Sequence, residues 1–355
     1  MKVLFDIVHP AQVHFFKNVI RLLQQRGDEV LVTARKKDVA LELLEALGIE
    51  CMCISEKGSN LFSLALELVV RNFRLWKIAR RFRPDVMVAR VGVAAGPVGK
   101  VLGIPTVIYD DMEHAKLQAA VGMTFATYIC TGLGYYRDFG KRQVRFRGSP
   151  VLAYLAPKYF EPDKELLRKE GLEPDKPYVF IRTVSWGASH DVGRAGSTEN
   201  DLSRLVENLS RFGRIIISAE GPLPQSLSQY ENPVGVENVH HLLAFASLCL
   251  VEGGTMAAEA AVLGTPAVCL GACEFKLGYL NAIESEYGLL YQPNSVDKAL
   301  EIAEEMLAEP DLKQLCREKR KKMLAESDDV TQFQLDMIDR AAKQHPVGNA
   351  GTQDS

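Results

Sequence analysis

Short apolar runs alternate with longer amphipathic stretches through the first half of the chain. KVLFDIV (2–8) is short and continuous enough for a buried strand. Pro10 then opens a helix carrying His14, Phe15, Phe16, Val19, Ile20, Leu22 and Leu23, and Gly27 ends it. EVLVTA is the next strand, 37–47 a helix stopped by Gly48, and IECMCI a strand. A long helix over 61–82 is closed by Pro84. Residues 85–89 and 105–109 read as strands around a Gly-rich helix, 93–102, and 126–130 and 144–147 as the last strands of this half. Repeated βα units of this kind predict a parallel sheet covered by helices on both faces.

A second series follows. Its predicted strands are PYVFIRT, RIIISAE, CLVEGG and TPAVCL, and its helices 199–210, 256–263, 275–285 and 296–308. Residues 312–325 and 330–343 are terminal helices. The stretch 148–176, with Pro150, Pro157, Pro162 and Pro174, separates the two series. We therefore expect an α/β protein of two Rossmann-like domains. The first is 1–150, the linker 151–176 and the second domain 177–326. A terminal helix follows at 327–344, then a disordered tail at 345–355. Ligands of open α/β sheets bind beyond the carboxyl ends of the strands, so a cleft is expected there.

At 355 residues the chain is long enough for two domains, and 47% hydrophobic with 25% charged residues is a globular composition. No apolar run reaches the roughly 18 residues of a membrane span. The first strand carries Asp6 and is too short for a signal peptide. Seven scattered cysteines, without a CxxC pair, suggest reduced thiols and a cytoplasmic location. Charge is divided unevenly: residues 1–150 hold 22 Lys+Arg against 14 Asp+Glu, and the rest hold 20 against 31. A basic first half suits an anionic partner and argues against a nucleic-acid binder that is basic throughout.

The most informative stretch is VEGGTMAAEAAVLGTPAVCL (251–270), which reads as strand, Gly-Gly turn, short helix and second strand. Gly253 and Gly254 permit a sharp turn and close approach to a ligand, and Thr255 can cap the helix. A helix opening there is an anion site, because its free N–H groups and dipole favour phosphate. Glu259, one turn inside, suits ribose hydroxyls. The same small residues would equally serve a plain βαβ turn packed close on its sheet.

GGTMAAEAAVLGTPAV resembles the donor motif of GT-B glycosyltransferases, as found in the N-acetylglucosaminyltransferase that completes lipid II and in UDP-N-acetylglucosamine 2-epimerase. The resemblance places Gly253, Gly254 and Thr255 on the diphosphate and Glu259 on the ribose. Glu252 stands where relatives often have Ser, and an acid beside a diphosphate is expected to point away. FDIVHPAQVHFFKNVIRLLQQRGDEVLVTAR and IYDDMEHA (108–115) resemble the family of predicted glycosyltransferases known as domain of unknown function 354, with Gln12 in place of one histidine. What the resemblance implies is a GT-B fold and metal-independent transfer of a sugar from a nucleotide diphosphate donor, UDP-linked, with no further cofactor. The acceptor is unspecified. The alternatives are a 2-epimerase-like isomerase and a non-catalytic nucleotide-sugar-binding protein. A dehydrogenase is disfavoured, since the first strand runs into DIVHPAQ and not GxGxxG.

Histidine at the carboxyl end of the first strand suits a general base, so His14 is the first candidate, against a core role beside Phe15 and Phe16. Asp110, Asp111, Glu113 and His114 follow a strand. Their adjacent spacing argues against a metal site, and Glu113 and His114 are read as acceptor or sugar contacts, against a merely acidic helix start. In IRTVSWGASHD, Arg182, Ser185 and His190 are candidates for the diphosphate. Within 61–82, Arg71, Arg74 and Lys77 recur at helical spacing after an apolar start. They predict either a solvated face or peripheral contact with anionic lipid at the inner membrane face.

Overall fold

The structure is a computed structural model. It describes the chain except residues 38, 57, 59–60, 114–115, 133, 184–196, 271–276 and 345–355. Ser185, His190, His114 and the expected disordered tail therefore lie outside the described residues.

The chain divides into two units. Unit 1 is Met1–Phe146 with Asp328–Ser355, and unit 2 is Arg147–Ser327. Unit 1 runs β1 (Lys2–Ile7), α1 (Pro10–Gln25), β2 (Glu29–Lys36), α2 (Ala40–Ala46), β3 (Met52–Glu56), α3 (Leu61–Phe82), β4 (Val86–Arg90), α4 (Ala95–Leu102), β5 (Thr106–Asp110), α5 (Lys116–Thr124), β6 (Tyr128–Gly132) and β7 (Gln143–Phe146). Its sheet has the order β3-β2-β1-β4-β5-β6-β7, and every pairing is parallel. The order reverses between β1 and β4, and the carboxyl ends of those strands make the switch point.

Unit 2 begins with α6 (Leu152–Leu155) and α7 (Lys164–Lys169), within the Pro-rich stretch expected as a linker. It continues β8 (Tyr178–Thr183), α8 (Glu199–Leu209), β9 (Arg214–Ala219), α9 (Val239–Phe245), β10 (Leu248–Val251), α10 (Gly254–Leu263), β11 (Ala267–Cys269), α11 (Gly278–Ala282), β12 (Leu290–Tyr291), α12 (Val296–Ala308) and α13 (Leu312–Glu326). The sheet order is β12-β11-β10-β8-β9, again all parallel. The switch point here lies between β8 and β10. The last helix, α14 (Val330–Lys343), packs on α1, β4 and β5 and so belongs to unit 1. There Gln334 Nε2 donates to the Phe15 carbonyl, and Arg26 forms a bidentate pair with Asp339.

Helix boundaries follow local chemistry. His9 accepts the Ala11 N–H and caps α1, with Pro10 in its first position. Thr198 and Asp201 close a capping box on α8. Arg83 takes a left-handed φ of 54° after α3, immediately before Pro84.

The structure corrects the reading of α3. Arg71 does not face solvent. Its Nη2 lies 2.6 Å from Asp6 Oδ1, both side chains are buried, and Thr33 Oγ1 donates to the same oxygen. Angular position explains this: Arg71, Leu75 and Ala79 share the face turned to the sheet, and all three are buried. Arg74 reaches back to the Ile54 carbonyl at 2.7 Å, while Lys77 remains exposed. The three basic residues do not act as one outward row.

Candidate functional site

In unit 2 the four residues of β10 are buried, and backbone pairing ties Val251 to Arg182 of β8. The chain turns at Glu252–Gly253, and α10 begins at Gly254. The helix therefore starts two residues earlier than the sequence suggested. Thr255 lies in its first turn and is not its cap; Gly253 holds the cap position, and no side chain caps the helix. The first-turn N–H groups and the positive end of the dipole thus sit at the switch point. The two glycines do different work. A Cβ on Gly254 would lie 2.8 Å from Leu280 Cδ1, whereas one on Gly253 would meet no described atom within 4 Å. Glu252 Oε1 accepts the Ser197 N–H at 2.6 Å.

Glu259 lies inside α10 and is buried. The Tyr154 hydroxyl donates to its Oε1 at 2.6 Å, and His240 Nε2 lies 3.2 Å from the same oxygen. Tyr154 comes from α6 and His240 from α9, both packed on α10. The Tyr154 and His240 rings are 5.5 Å apart, with Phe160 6.0 Å from the histidine. One oxygen of the carboxylate is thus fixed by two side chains, and the other, Oε2, takes no hydrogen bond from a described residue. Arg182 lies at the same sheet edge but on the β9 side: its Nη1 donates to Ser218 Oγ at 2.9 Å and its Nη2 is 3.5 Å from Glu220.

Unit 1 gathers polar groups at the carboxyl ends of β4 and β5. Arg90 forms a two-point pair with Asp111, and its guanidinium sits 5.2 Å above the Phe15 ring. Asp110 accepts the Tyr135 hydroxyl and the Met112 N–H. Burial pushes the Asp110 carboxyl above the usual range, outweighing those bonds and the charges of Arg90 and Arg137. Burial and then the Asp110 charge push the Tyr135 hydroxyl up as well. Glu113, buried in the next turn, also acts on Tyr135 electrostatically. His14 stands just past the first turn of α1, half-buried with its Nδ1 covered. Its neighbour Phe15 packs edge-on against Tyr109, the residue before Asp110. Val91, following β4, takes a φ of 67°, which is strained for a β-branched residue and is followed by Gly92 at 63°. Among the described residues, no group of three His, Cys, Asp or Glu could hold a metal ion.

His14 and Glu113 therefore belong to one sheet edge of unit 1, and Gly253, Gly254, Thr255 and Glu259 to one helix of unit 2. Tyr154, His240 and Tyr135 are additions, and Asp110, considered only for a metal site, gains a role through Tyr135. The first two were hidden in segments where no helix was predicted. Asp110 stood in IYDDMEHA, but its partner Tyr135 lies beyond the next strand.

Residues 1–343 match the family model described as "Protein of unknown function (DUF354)". The chain belongs to that family. It is 25% identical over 281 residues to the uncharacterized protein MJ0665 of Methanocaldococcus jannaschii, covering 76% of this chain and 81% of that one. It is 23% identical over 346 residues to a UDP-N-acetylglucosamine–N-acetylmuramyl-(pentapeptide) pyrophosphoryl-undecaprenol N-acetylglucosamine transferase of Caldanaerobacter subterraneus, covering 89% and 92%. Among solved structures, it resembles the UDP-GlcNAc 2-epimerase of Neisseria meningitidis bound to UDP-GlcNAc. The TM-score is 0.70 at 13% identity, over 96% of this chain and 100% of that one. The spinosyn rhamnosyltransferase SpnG, complexed with thymidine diphosphate, gives 0.63 at 14%, over 95% and 100%. The DUF354 chain thus has the GT-B fold of nucleotide-sugar epimerases and glycosyltransferases, one Rossmann-like domain in each unit.

Proposed function

We propose that this protein binds a nucleoside diphosphate sugar, UDP-linked, in unit 2 and transfers the sugar, without a metal ion, to an acceptor bound by unit 1. The observation that carries the reading is α10. An uncapped helix opens on two glycines at the sheet's switch point, and its one carboxylate is fixed by Tyr154 and His240. The diphosphate lies at the N–H groups of Gly254 and Thr255, beside Gly253. Glu259 Oε2 accepts from the ribose hydroxyls. Arg182 leaves Glu220 for the diphosphate, and Ser185 and His190 follow it in sequence toward the same group. As the acceptor oxygen bonds to the sugar, His14 takes its proton, Glu113 and His114 orient the hydroxyls, and the diphosphate leaves to the helix dipole and Arg182.

A second reading, isomerisation of the nucleotide sugar itself, draws support from the buried Asp110–Tyr135 pair beside Glu113, which can hold and move protons. One experiment separates them: incubate the protein with UDP-N-acetylglucosamine and candidate acceptors, and follow products by NMR. A glycosylated acceptor with UDP supports transfer, and a 2-epimer supports isomerisation. Binding without turnover leaves a sensor. If no UDP-sugar or other nucleotide sugar binds, the donor site is wrong.

A further inference from the structure

With Arg71 buried and Arg74, exposed at the margin of the face, bonded to the Ile54 carbonyl, the outward face of α3 is different from the basic row the sequence suggested. Leu66, Val69, Val70 and Phe73 are 55%, 67%, 37% and 62% exposed. Their spacing of three and four residues puts them on one stripe. Lys77, Arg80 and Arg81 continue the same stripe and are exposed. At 100° per residue, all seven fall within an arc of about 120°. The only carboxylate of the helix, Glu67, is held by Arg35 through two bonds, with Nε 2.7 Å from Oε1. The face is thus apolar in its first half and cationic in its second, with no acid of its own. Phe73 stacks on Trp76 at 5.8 Å, and the Arg80 guanidinium lies 5.3 Å over that indole.

We propose that the outer face of α3 docks on an anionic lipid bilayer, with the helix tilted. Leu66–Phe73 enters the headgroup–acyl boundary, and Lys77, Arg80 and Arg81 stay among the headgroup phosphates. Length fits: Leu66 to Phe73 spans about 10 Å along a helix, and interfacial helices bury their apolar side by about 5–10 Å. The order of the two halves decides against a second copy of this chain as occupant. In a self-complementary pair, the cations of each copy would meet apolar side chains or other cations, and the face offers no acid to receive them. Among the described residues no helix is long and apolar enough to cross a membrane, so the contact is one of lying on the surface. The inference is independent of the donor site in unit 2.

The test is co-sedimentation of the full chain with phosphatidylcholine vesicles, with and without phosphatidylglycerol, at low and high salt. Variants are Leu66→Ser/Val69→Ser/Phe73→Ser and Lys77→Gln/Arg80→Gln/Arg81→Gln. All six positions are exposed, and circular dichroism with thermal melting confirms that each variant is folded. The expected result is binding that needs phosphatidylglycerol and falls with salt. The apolar variant should lose roughly tenfold or more, and the basic variant about 10²-fold, from about fivefold per charge. Wild type that ignores anionic vesicles overturns the proposal. Full binding by the apolar variant overturns it too, because adsorption would then be electrostatic only. So does a wild-type dimer in analytical ultracentrifugation that becomes monomeric in the apolar variant without any vesicle binding.

Discussion

Glu259 Oε1 accepts the Tyr154 hydroxyl and lies 3.2 Å from His240 Nε2, and these two contacts from other helices make the carboxylate a rigid acceptor and not a swinging one. Rigidity matters because a pre-positioned group loses little entropy when ligand arrives. Glu259→Ala is expected to weaken UDP binding by about 1.5–3 kcal/mol, the worth of a hydrogen bond to a charged group. Tyr154→Phe should cost about 0.5–1.5 kcal/mol. His240→Gln, which can still offer an N–H, should bind better than His240→Ala. Titration calorimetry checks the series, and unchanged affinity in Glu259→Ala removes that residue from the site. His14→Ala should lower turnover by about 10²–10⁴ while donor affinity survives; full turnover would make His14 structural. Asp110 gives a pH signature. Its folded pKa is raised, chiefly by burial. Above about pH 3.9 the unfolded chain releases this proton while the folded chain keeps it. The stability it contributes therefore falls as pH rises from there through the folded value. Urea melts at several pH values should show this slope in wild type and not in Asp110→Asn, and parallel curves would refute it.

α3 shows what a helix can conceal from its own sequence. Arg71 and Lys77 look equivalent in a list of basic residues, yet one is buried on Asp6 and the other is in water. Arg71→Met should cost about 3–5 kcal/mol, because Asp6 is left charged and buried. Lys77→Gln should stay within about 0.5 kcal/mol. Denaturant melts decide, and an Arg71→Met loss below that of a surface change would place the pair outside the core. The ends of α3 were legible because 22 residues of periodic pattern finish at a proline. The strands other than β12 were legible from short buried runs bounded by glycine and proline, with shifts of one to three residues; β12, two residues long, was missed. α6 and α9 were not, being four and seven residues long. So few positions cannot display a period of 3.6, and α6 sits among prolines in a stretch that reads as linker. Gly253, Gly254 and Glu259 could be found from local sequence because one turn holds them. Tyr154 lies 105 positions from Glu259, and nothing local marks it as a partner.

The two units have separate cores. Unit 1 packs Leu4, Met87, Ile108 and Ile129 with α3 and α4, and unit 2 packs Ile181, Leu205, Ile217 and Leu250 with α8 and α12. Units with their own cores can open locally with different free energies. The proposed division of labour gives that independence a consequence. A ligand that binds only the native form of one unit stabilises it by about 2.7 kcal/mol at a hundred times its Kd. UDP is therefore expected to slow amide exchange in unit 2, most of all in the first turn of α10, and also in α6 and α9, which hold Glu259. Exchange in β1–β7 should stay near its unliganded rate, since no UDP contact is assigned to unit 1. Hydrogen exchange with mass spectrometry reads each segment in one experiment. In Glu259→Ala at the same UDP concentration, the protection of α10 should shrink, because the bound fraction falls with affinity. Protection confined to unit 1 would move the nucleotide to the other Rossmann-like domain. It would leave the buried Glu259–Tyr154–His240 cluster as a packing feature of α10.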